Sequence, residues 1–432
     1  MARAGSNTLR ALRHRNFQLF FAGQLISLIG TWMQSVAQSW LVYRLTGSAA
    51  LLGLVSFSGQ IPIFVLSAIG GYAADRANRY RVVIATQTAS MILALALAGL
   101  TLTNRVQIWE VFVMAALLGI VNAFDIPARQ SFLVEMVGRA DLMNAIALNS
   151  SMFNGARIIG PAIAGILVAK IGEGWCFFAN GISYVAVIWG LLLMKVQPFR
   201  PAPATKSALE TIREGFQYVG STVPIRAIVM LIAVVSFAGM QFTVLMPIFA
   251  DRILHTGPQG LGLLMGATGA GALGGALMLA TRTRLKGFML LVPSAAAVMA
   301  MAVAGFAASV AMWVSCALLF VAGFAMMVQV AASNTLIQSM VPDHLRGRTM
   351  SVYSMMYLGI GPFGAMAAGF AAGRFGAPVT LMAGSAVSLA AAAVFAAWLP
   401  AIRPIARQLI RERQAMHDVS VTEVMGTAGA SR

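Results

Sequence analysis

The sequence predicts an all-α membrane protein with twelve transmembrane helices in two pseudo-symmetric six-helix bundles. Of its 432 residues, 59% are hydrophobic and 10% are charged, so polar groups are too few to cover the surface of a soluble domain. A shift of 204 residues also places Gly155 on Gly359 and Gly165 on Gly369. Chance identity in a Gly-rich chain is the alternative, but the shared order of features favours a parallel repeat of six helices.

Twelve apolar runs are each long enough to cross the hydrocarbon core of a bilayer. They cover residues 17–43, 49–74, 82–103, 107–128, 142–169, 175–195, 226–250, 260–281, 288–309, 311–337, 349–373 and 377–399. We therefore assign 1–196 to the N-terminal bundle and 225–400 to the C-terminal bundle. Residues 197–224 form a cytoplasmic linker with an amphipathic helix, and 401–432 form a cytoplasmic tail that contacts lipid headgroups.

Basic residues exceed acidic ones, 30 to 13, which gives a formal net charge of +17. In a soluble chain this excess would indicate nucleic acid, but most Lys and Arg fall in the termini and in alternate loops. This distribution predicts that both termini are cytoplasmic in the cell (inner or plasma) membrane. Anionic membrane lipids are therefore the expected partner of the basic segments, and nucleic acid is not.

The residues that usually carry catalysis are not grouped in the apolar runs. Cys176 and Cys316 are far apart, and the four histidines lie in termini or loops. No acidic pair shares a helix face, as a general acid and base would require. We therefore expect no enzyme activity, no metal site and no cofactor.

A charged loop, GYAADRANRYR at 71–81, separates the second and third runs. It resembles the signature loop of the major facilitator superfamily, with Asn78 where that family usually has glycine. The residues that carry the resemblance are Gly71, Asp75, Arg76, Arg79 and Arg81.

Three further segments narrow the resemblance. The stretch GARIIGPAIAG at 155–165 resembles the helix 5 pattern of antiporters in the superfamily, although a single glycine closes it where a pair is common. FDIPARQSFLVEM at 124–136, together with VPDHLRGR at 341–348, is similar to the exporter branch that includes enterobactin and macrolide efflux proteins. This resemblance implies export of a bulky small molecule, commonly by proton antiport, but it does not identify the substrate.

Polar side chains in the first run recur every three or four residues and so share one helix face. They are Gln24, Ser27, Thr31, Gln34 and Gln38. Unpaired polar groups are costly in hydrocarbon, so this stripe lines a watery cavity or a helix contact. We favour the cavity, because helix contacts in membranes usually use small residues.

The fourth and fifth runs carry the main candidate site residues. Asn122, Asp125 and Arg129 share one face, and Asn154 shares another with Arg157. Arg157 lies about 22 Å into its helix, too deep to reach the surface readily. We expect Asp125 to carry the coupling proton, since it is the acid most clearly inside a span, and Arg157 to bind an anionic or carbonyl group of the substrate. A structural Asp125–Arg129 ion pair is the alternative.

Small residues and a proline make the fifth run a candidate hinge. The residues are Gly155, Gly160, Pro161 and Gly165. Small residues permit close helix approach and Pro161 leaves a backbone carbonyl free, so the helix can bend as the halves move. A purely structural kink is the alternative.

The charged loop is also a candidate conformational latch. A helix dipole disfavours a carboxylate at the C-terminal end of a helix, so Asp75 should gain from a basic partner near Arg346 and Arg348. We expect this latch, with Arg129 nearby, to hold the cytoplasmic side shut in the outward-open state.

The sequence thus predicts a monomeric secondary transporter that exports a bulky lipophilic or amphipathic small molecule (drug, siderophore or metabolite) by alternating access, with protons as the coupling ion. Phe and Met residues of the second half, such as Phe320, Met326 and Met240, would suit such a substrate if they face the cavity. An importer of a small nutrient and a non-transporting receptor on the same fold are the alternatives.

Overall fold

The computed structural model describes residues 9–195, 208–282 and 287–429, apart from the side chains at 68, 74–75, 208–212 and 414–429. Within these ranges every regular element is helical. After a short turn at Arg10–Arg13, the helices are α1 (Arg15–Thr46), α2 (Ala49–Arg76), α3 (Arg79–Leu102), α4 and α5 (together Ile108–Ile171), α6 (Glu173–Leu192), α7 (Ala208–Ser221), α8 (Val223–Ile253), α9 (Gly257–Ala280), α10 (Phe288–Ala308), α11 (Met312–Met340), α12 (Asp343–Phe375) and α13 (Ala377–Gly429).

The segment Ile108–Ile171 contains two spans, not one. Its 64 residues would extend about 96 Å as a straight helix, about three times the hydrocarbon thickness. Gly138 breaks it with φ 71° and ψ 174°, a backbone conformation that glycine adopts at little cost. We therefore call 108–137 α4 and 139–171 α5. Within the described ranges, eleven continuous apolar helices thus supply the twelve predicted crossings.

Packing shows that the two arms of this segment run in opposite directions. Gly119 and Ala123 of α4 lie against Gly59 and Gly70, so α4 runs parallel to α2. The N-terminal part of α5 lies beside the start of α1, because the Asn144 side chain accepts a hydrogen bond from the Ala11 amide at 2.8 Å. Gly160 then packs on Trp32, so α5 runs parallel to α1. Since α1 and α2 are joined by a short turn and are antiparallel, α4 and α5 are antiparallel too.

The second half repeats the packing of the first. Helix α2 packs on α4 as α9 packs on α11, and α3 packs on α6 as α10 packs on α13. The halves meet along two equivalent seams, α5 against α9 and α12 against α2. Gly165 touches Gly262 in one seam and Gly369 touches Gly53 in the other. Gly165 and Gly369 are a pair that the sequence repeat matched, and the two-bundle prediction is confirmed.

Polar contacts between the halves close one end of the molecule, which we call the closed end. It contains the connections at Gly47, Gly172, His255 and Gly376. The Tyr43 hydroxyl donates to Asp251 Oδ2 at 2.8 Å. Arg252 donates to the Tyr43 hydroxyl and to the Gly47 carbonyl, each at 3.1 Å.

The opposite end, which we call the open end, contains the connections at 77–78, 138 and 341–342. Each ion pair described there either joins two residues of the same half or joins the linker helix to the second half. Arg79 lies 2.8 Å from Glu135, and Arg346 lies 2.7 Å from Asp343. Among the described residues, the polar bonds between the halves are thus at the closed end.

The linker and tail pack on the second half. The linker helix α7 contacts the start of α12 through an ion pair from Glu214 to Arg348, while 197–207 lie outside the described residues. Helix α13 passes the predicted boundary at 400 without ending. Ile402 and Ala406 are buried, and Arg413 lies 2.9 Å from Asp343. The start of the tail is therefore part of the folded second half as well as a basic segment.

Candidate functional site

A cavity of about 590 Å³ lies between the two halves. It is covered at the closed end by the contacts of Tyr43, Asp251 and Arg252. The first half contributes most of its polar wall, from α1, α3, α4, α5 and α6. A cavity of this volume can hold a drug-sized ligand.

The polar stripe of α1 lies in the cavity wall. All five of its members line the cavity: Gln24, Ser27, Thr31, Gln34 and Gln38. Part of the stripe also makes helix contacts, because Gln34 Oε1 accepts a hydrogen bond from Asn180 Nδ2 of α6 at 2.7 Å. Gln24 is 2% exposed and its Oε1 has no hydrogen-bond partner in the described chain. The stripe therefore both lines the cavity and contributes to a contact between helices.

Asp125 lies in the wall with Asn122 and is itself only 3% exposed. Its Oδ1 accepts hydrogen bonds from Thr86 Oγ1 at 2.8 Å and from Gln87 Nε2 at 2.9 Å. Its Oδ2 lies 3.3 Å from Nε of Arg129, one helical turn away. The ion pair that the spacing allows is thus formed in this conformation. Three polar atoms contact the carboxylate: Thr86 Oγ1, Gln87 Nε2 and Arg129 Nε.

Arg157 is the cation of the wall that no described carboxylate neutralises. Its guanidinium lies over the Trp32 ring, with Cζ 5.6 Å from the ring centroid. Arg129 also reaches the cavity but is paired with Asp125. Asn154 differs from the expectation: it does not line the cavity, and its Nδ2 donates to the Ser150 carbonyl at 2.9 Å. An anionic group in the cavity would therefore meet Arg157 first.

The wall contributed by the second half is largely apolar. Four methionines line it, namely Met240, Met246, Met265 and Met326. Thr243, Thr268 and Tyr357 add its hydroxyl groups. Phe320, whose position relative to the cavity the sequence left open, does not line it and is 44% exposed. Methionine side chains are flexible and polarisable, so this wall can adapt to apolar groups of different shape.

Basic residues of the predicted latch contact neighbouring side chains in this conformation. Arg346 pairs with Asp343, Arg348 with Glu214, and Arg79 with Glu135. Arg76 lies over the Tyr72 ring of its own helix, with Cζ 4.6 Å from the centroid. The Asp75 side chain lies outside the described residues, and Gly71 and Arg81 are on the same side of the molecule. A latch for the opposite state remains a prediction.

The candidate hinge residues of α5 lie at packed helix contacts. Gly160 meets Trp32 and Ile29 of α1, and Gly165 meets Gly262. Pro161 is buried and lines the cavity. Gly155 has open space around it. The backbone has helical φ and ψ at Pro161, and the residue at which the helical conformation breaks is Gly138.

Several cavity residues were missed by sequence reasoning. Gln87 and Ser90 on α3, and Asn180 and Tyr184 on α6, are polar pairs at helical spacing inside apolar runs. Their periodicity, the same signal that identified the α1 stripe, would have found them. Tyr357 carried no such signal, since it lies in the π-helical turn Met355–Gly359.

Two parallel six-helix bundles around a central cavity that is covered at one end are the architecture of a membrane transporter. The chain belongs to the family of transmembrane secretion effectors in the major facilitator superfamily, which its residues 6–428 match.

Relatives with assigned substrates support this placement. The multidrug efflux pump Tap of Mycolicibacterium fortuitum is 29% identical over 387 residues, which is 87% of this chain and 93% of that protein. The staphyloferrin A transporter of Staphylococcus aureus is 25% identical over 83% of this chain and 89% of its own. The enterobactin exporter EntS of Citrobacter koseri is 25% identical over 87% of this chain and 88% of its own.

Solved structures of the superfamily share the fold. A POT peptide transporter superposes with a TM-score of 0.70 at 14% identity, covering 90% of this chain and 95% of its own. A bacterial homologue of the lysosomal transporter Spinster, in an inward-facing and unoccupied conformation, gives 0.66 at 17% identity, covering 93% and 98%. At these identities the likeness establishes architecture alone.

Proposed function

We propose that the protein exports a bulky lipophilic or amphipathic small molecule by proton antiport. The observation that carries the proposal is the two-sided cavity, with Arg157 and the α1 stripe on one wall and four methionines on the other. An amphipathic substrate with an anionic or carbonyl group matches both walls. The efflux and siderophore relatives support export, whereas a small polar nutrient would need many convergent hydrogen bonds on every side.

Orientation follows from the charge distribution. If both termini are cytoplasmic, the closed end faces outwards and this conformation is inward-facing, ready to receive substrate from the cytoplasm or the inner leaflet. Cysteine labelling tests this orientation in a background without Cys176 and Cys316. We expect a cysteine at Asn104 to react only from outside and one at Asn78 only from inside, and the reverse pattern would refute the topology.

The proposed substrate chemistry predicts a selective effect of Arg157→Gln. Losing a charge-assisted contact should weaken transport of anionic amphipathic compounds by about 10- to 150-fold. Arg157→Lys should recover only part of it, since an ammonium lacks the planar fork of a guanidinium. The measurement is substrate flux into or out of proteoliposomes, with a panel of anionic, neutral and cationic amphipathic compounds.

The matched control is Arg374→Gln, which removes an exposed arginine at the closed end. It should leave flux unchanged.

Equal losses for all compounds in the Arg157 variant would show that the arginine is structural. Flux of a nutrient against its gradient into the inside compartment would support the importer, and the absence of any flux across the panel would support a receptor.

A further inference from the structure

A second cavity lies on the outer surface of the first half, between α1 and α6. It has a volume of about 580 Å³ and shares no lining residue with the central cavity. Its rims are exposed apolar side chains, including Ile26 at 53%, Val185 at 45% and Trp189 at 65% exposure. Because these side chains face away from the protein interior, the groove opens towards lipid.

Close backbone packing forms the floor of this groove. A Cβ on Gly23 would lie 3.0 Å from the Ala186 carbonyl oxygen, and one on Gly190 would lie 2.9 Å from that of Leu19. The two helices therefore approach closely at glycine, while larger side chains on either side stand above the floor. The groove extends along α1 from Gln18 to Ile26, about 12 Å, which is most of the roughly 15 Å depth of one leaflet.

Two cations lie at the end of the groove nearest the N-terminus. Asn16 Nδ2 donates to the Lys195 carbonyl at 2.9 Å, and the Lys195 amide donates back to Asn16 Oδ1 at 3.3 Å. These bonds place Lys195 beside the start of α1, where Arg15 is the first residue. Both cations are exposed, and neither forms an ion pair with a described carboxylate.

We propose that this groove is a binding site for an anionic phospholipid. One acyl chain occupies the groove, and the phosphate lies between Arg15 and Lys195. Charge complementarity selects the anionic headgroup, because each basic residue near an anionic lipid surface strengthens binding to that lipid. The apolar walls accept any acyl chain, so the headgroup sets the specificity and the groove sets the location. This site is separate from the transport cavity and from the basic tail.

Photo-crosslinking with purified full-length protein tests the site. Phosphatidylglycerol and phosphatidylcholine with the same diazirine-bearing acyl chains are titrated into detergent micelles, and labelled peptides are mapped by mass spectrometry. We expect phosphatidylglycerol to label segments 18–26 and 182–193 at lower concentration than phosphatidylcholine. The double variant Arg15→Gln/Lys195→Gln should raise the half-labelling concentration of phosphatidylglycerol by about 30-fold and leave phosphatidylcholine unchanged.

Two further variants separate the groove from general surface charge. Ala22→Phe places a ring in the groove and should abolish labelling by both lipids. Arg403→Gln/Arg407→Gln removes the same charge from the tail and should change neither. Equal labelling by the two lipids, an equal loss in the tail variant, or crosslinks mainly to a second copy of the chain would each overturn the proposal. If Ala22→Phe does not fold, the two charge variants still decide it.

Discussion

Replacing Gly262 with alanine is expected to shift the transporter out of the conformation described here. A Cβ at this position would lie 2.5 Å from the Pro161 carbonyl oxygen and 2.9 Å from Gly165 Cα, so the α5–α9 seam must separate. Overpacking of this kind changes an equilibrium by about 5- to 150-fold. We expect opening of the closed end to relieve this strain, so the variant should populate the opposite state.

Spin labels at Arg105 and Val310 measure this shift. Both positions are exposed at the closed end, on opposite halves of the protein. We expect a larger fraction of long distances in Gly262→Ala, and the same in Gly369→Ala, which overpacks the equivalent seam. Gly99→Ala is the matched control, because a Cβ there meets nothing within 4 Å. An unchanged distance distribution in a folded Gly262→Ala protein would contradict the seam's role.

The latch hypothesis predicts the opposite shift in the same measurement. If Asp75 stabilises the state in which the open end is shut, Asp75→Asn should reduce the long-distance fraction and favour the conformation described here. In this conformation Arg346 forms an ion pair with Asp343, and Arg348 forms one with Glu214. If Asp75→Asn has the same spin-label distance distribution and the same substrate flux as the parent protein, Asp75 has no role as a latch.

The spans were predictable because hydrophobic length is a property of the sequence alone. The conformation of residues 129–141, at the junction of α4 and α5, was not predictable, since the charges there indicated a loop. The structure keeps these residues helical except at Gly138, because two of the charges find partners far away in sequence: Glu135 on Arg79, and Asp141 on His14. Long-range pairing, which a single sequence does not display, decides whether such a charged stretch unfolds into a loop.

The site was predictable where helical periodicity alone decides which residues share a face. The α1 stripe and the Asp125–Arg129 pair follow from steps of three and four residues. Asn154 and Arg157 are three apart, and only Arg157 reaches the cavity wall. Which part of a face meets the cavity depends on how α5 packs against α1 and α9. That packing also places Trp32 beside Arg157, a contact with no local signal.

Asp125→Asn is expected to abolish substrate accumulation driven by a pH gradient while leaving substrate exchange between the two sides. Asp125 is the carboxylate of the described chain that lines the cavity. The other acids near the spans are engaged elsewhere, with Glu173 on Arg44 and Asp251 on Tyr43 at the closed end. A coupling proton must bind a group that the cavity exposes to one side at a time, and Asp125 lines the cavity in this conformation.

The hydrogen bonds of Asp125 can accommodate both protonation states. Thr86 Oγ1 lies 2.8 Å from Asp125 Oδ1 and 2.9 Å from the Val83 carbonyl oxygen, but a hydroxyl donates only one proton. Thr86 donates to an ionised Asp125, whereas a protonated Asp125 donates to Thr86, which then donates to Val83.

Proteoliposomes with an imposed pH gradient test this coupling, with Asp251→Asn as the charge-matched control. The control should weaken the closed end but retain gradient-driven accumulation. Thr86→Val, which removes the hydroxyl and nearly preserves side-chain volume, should lower accumulation less than Asp125→Asn does. Accumulation that survives in Asp125→Asn would make the carboxylate a structural partner of Arg129. In that case the buried ion pair stabilises the α4 end of the cavity, and the coupling group must be sought among residues that change exposure between the two states.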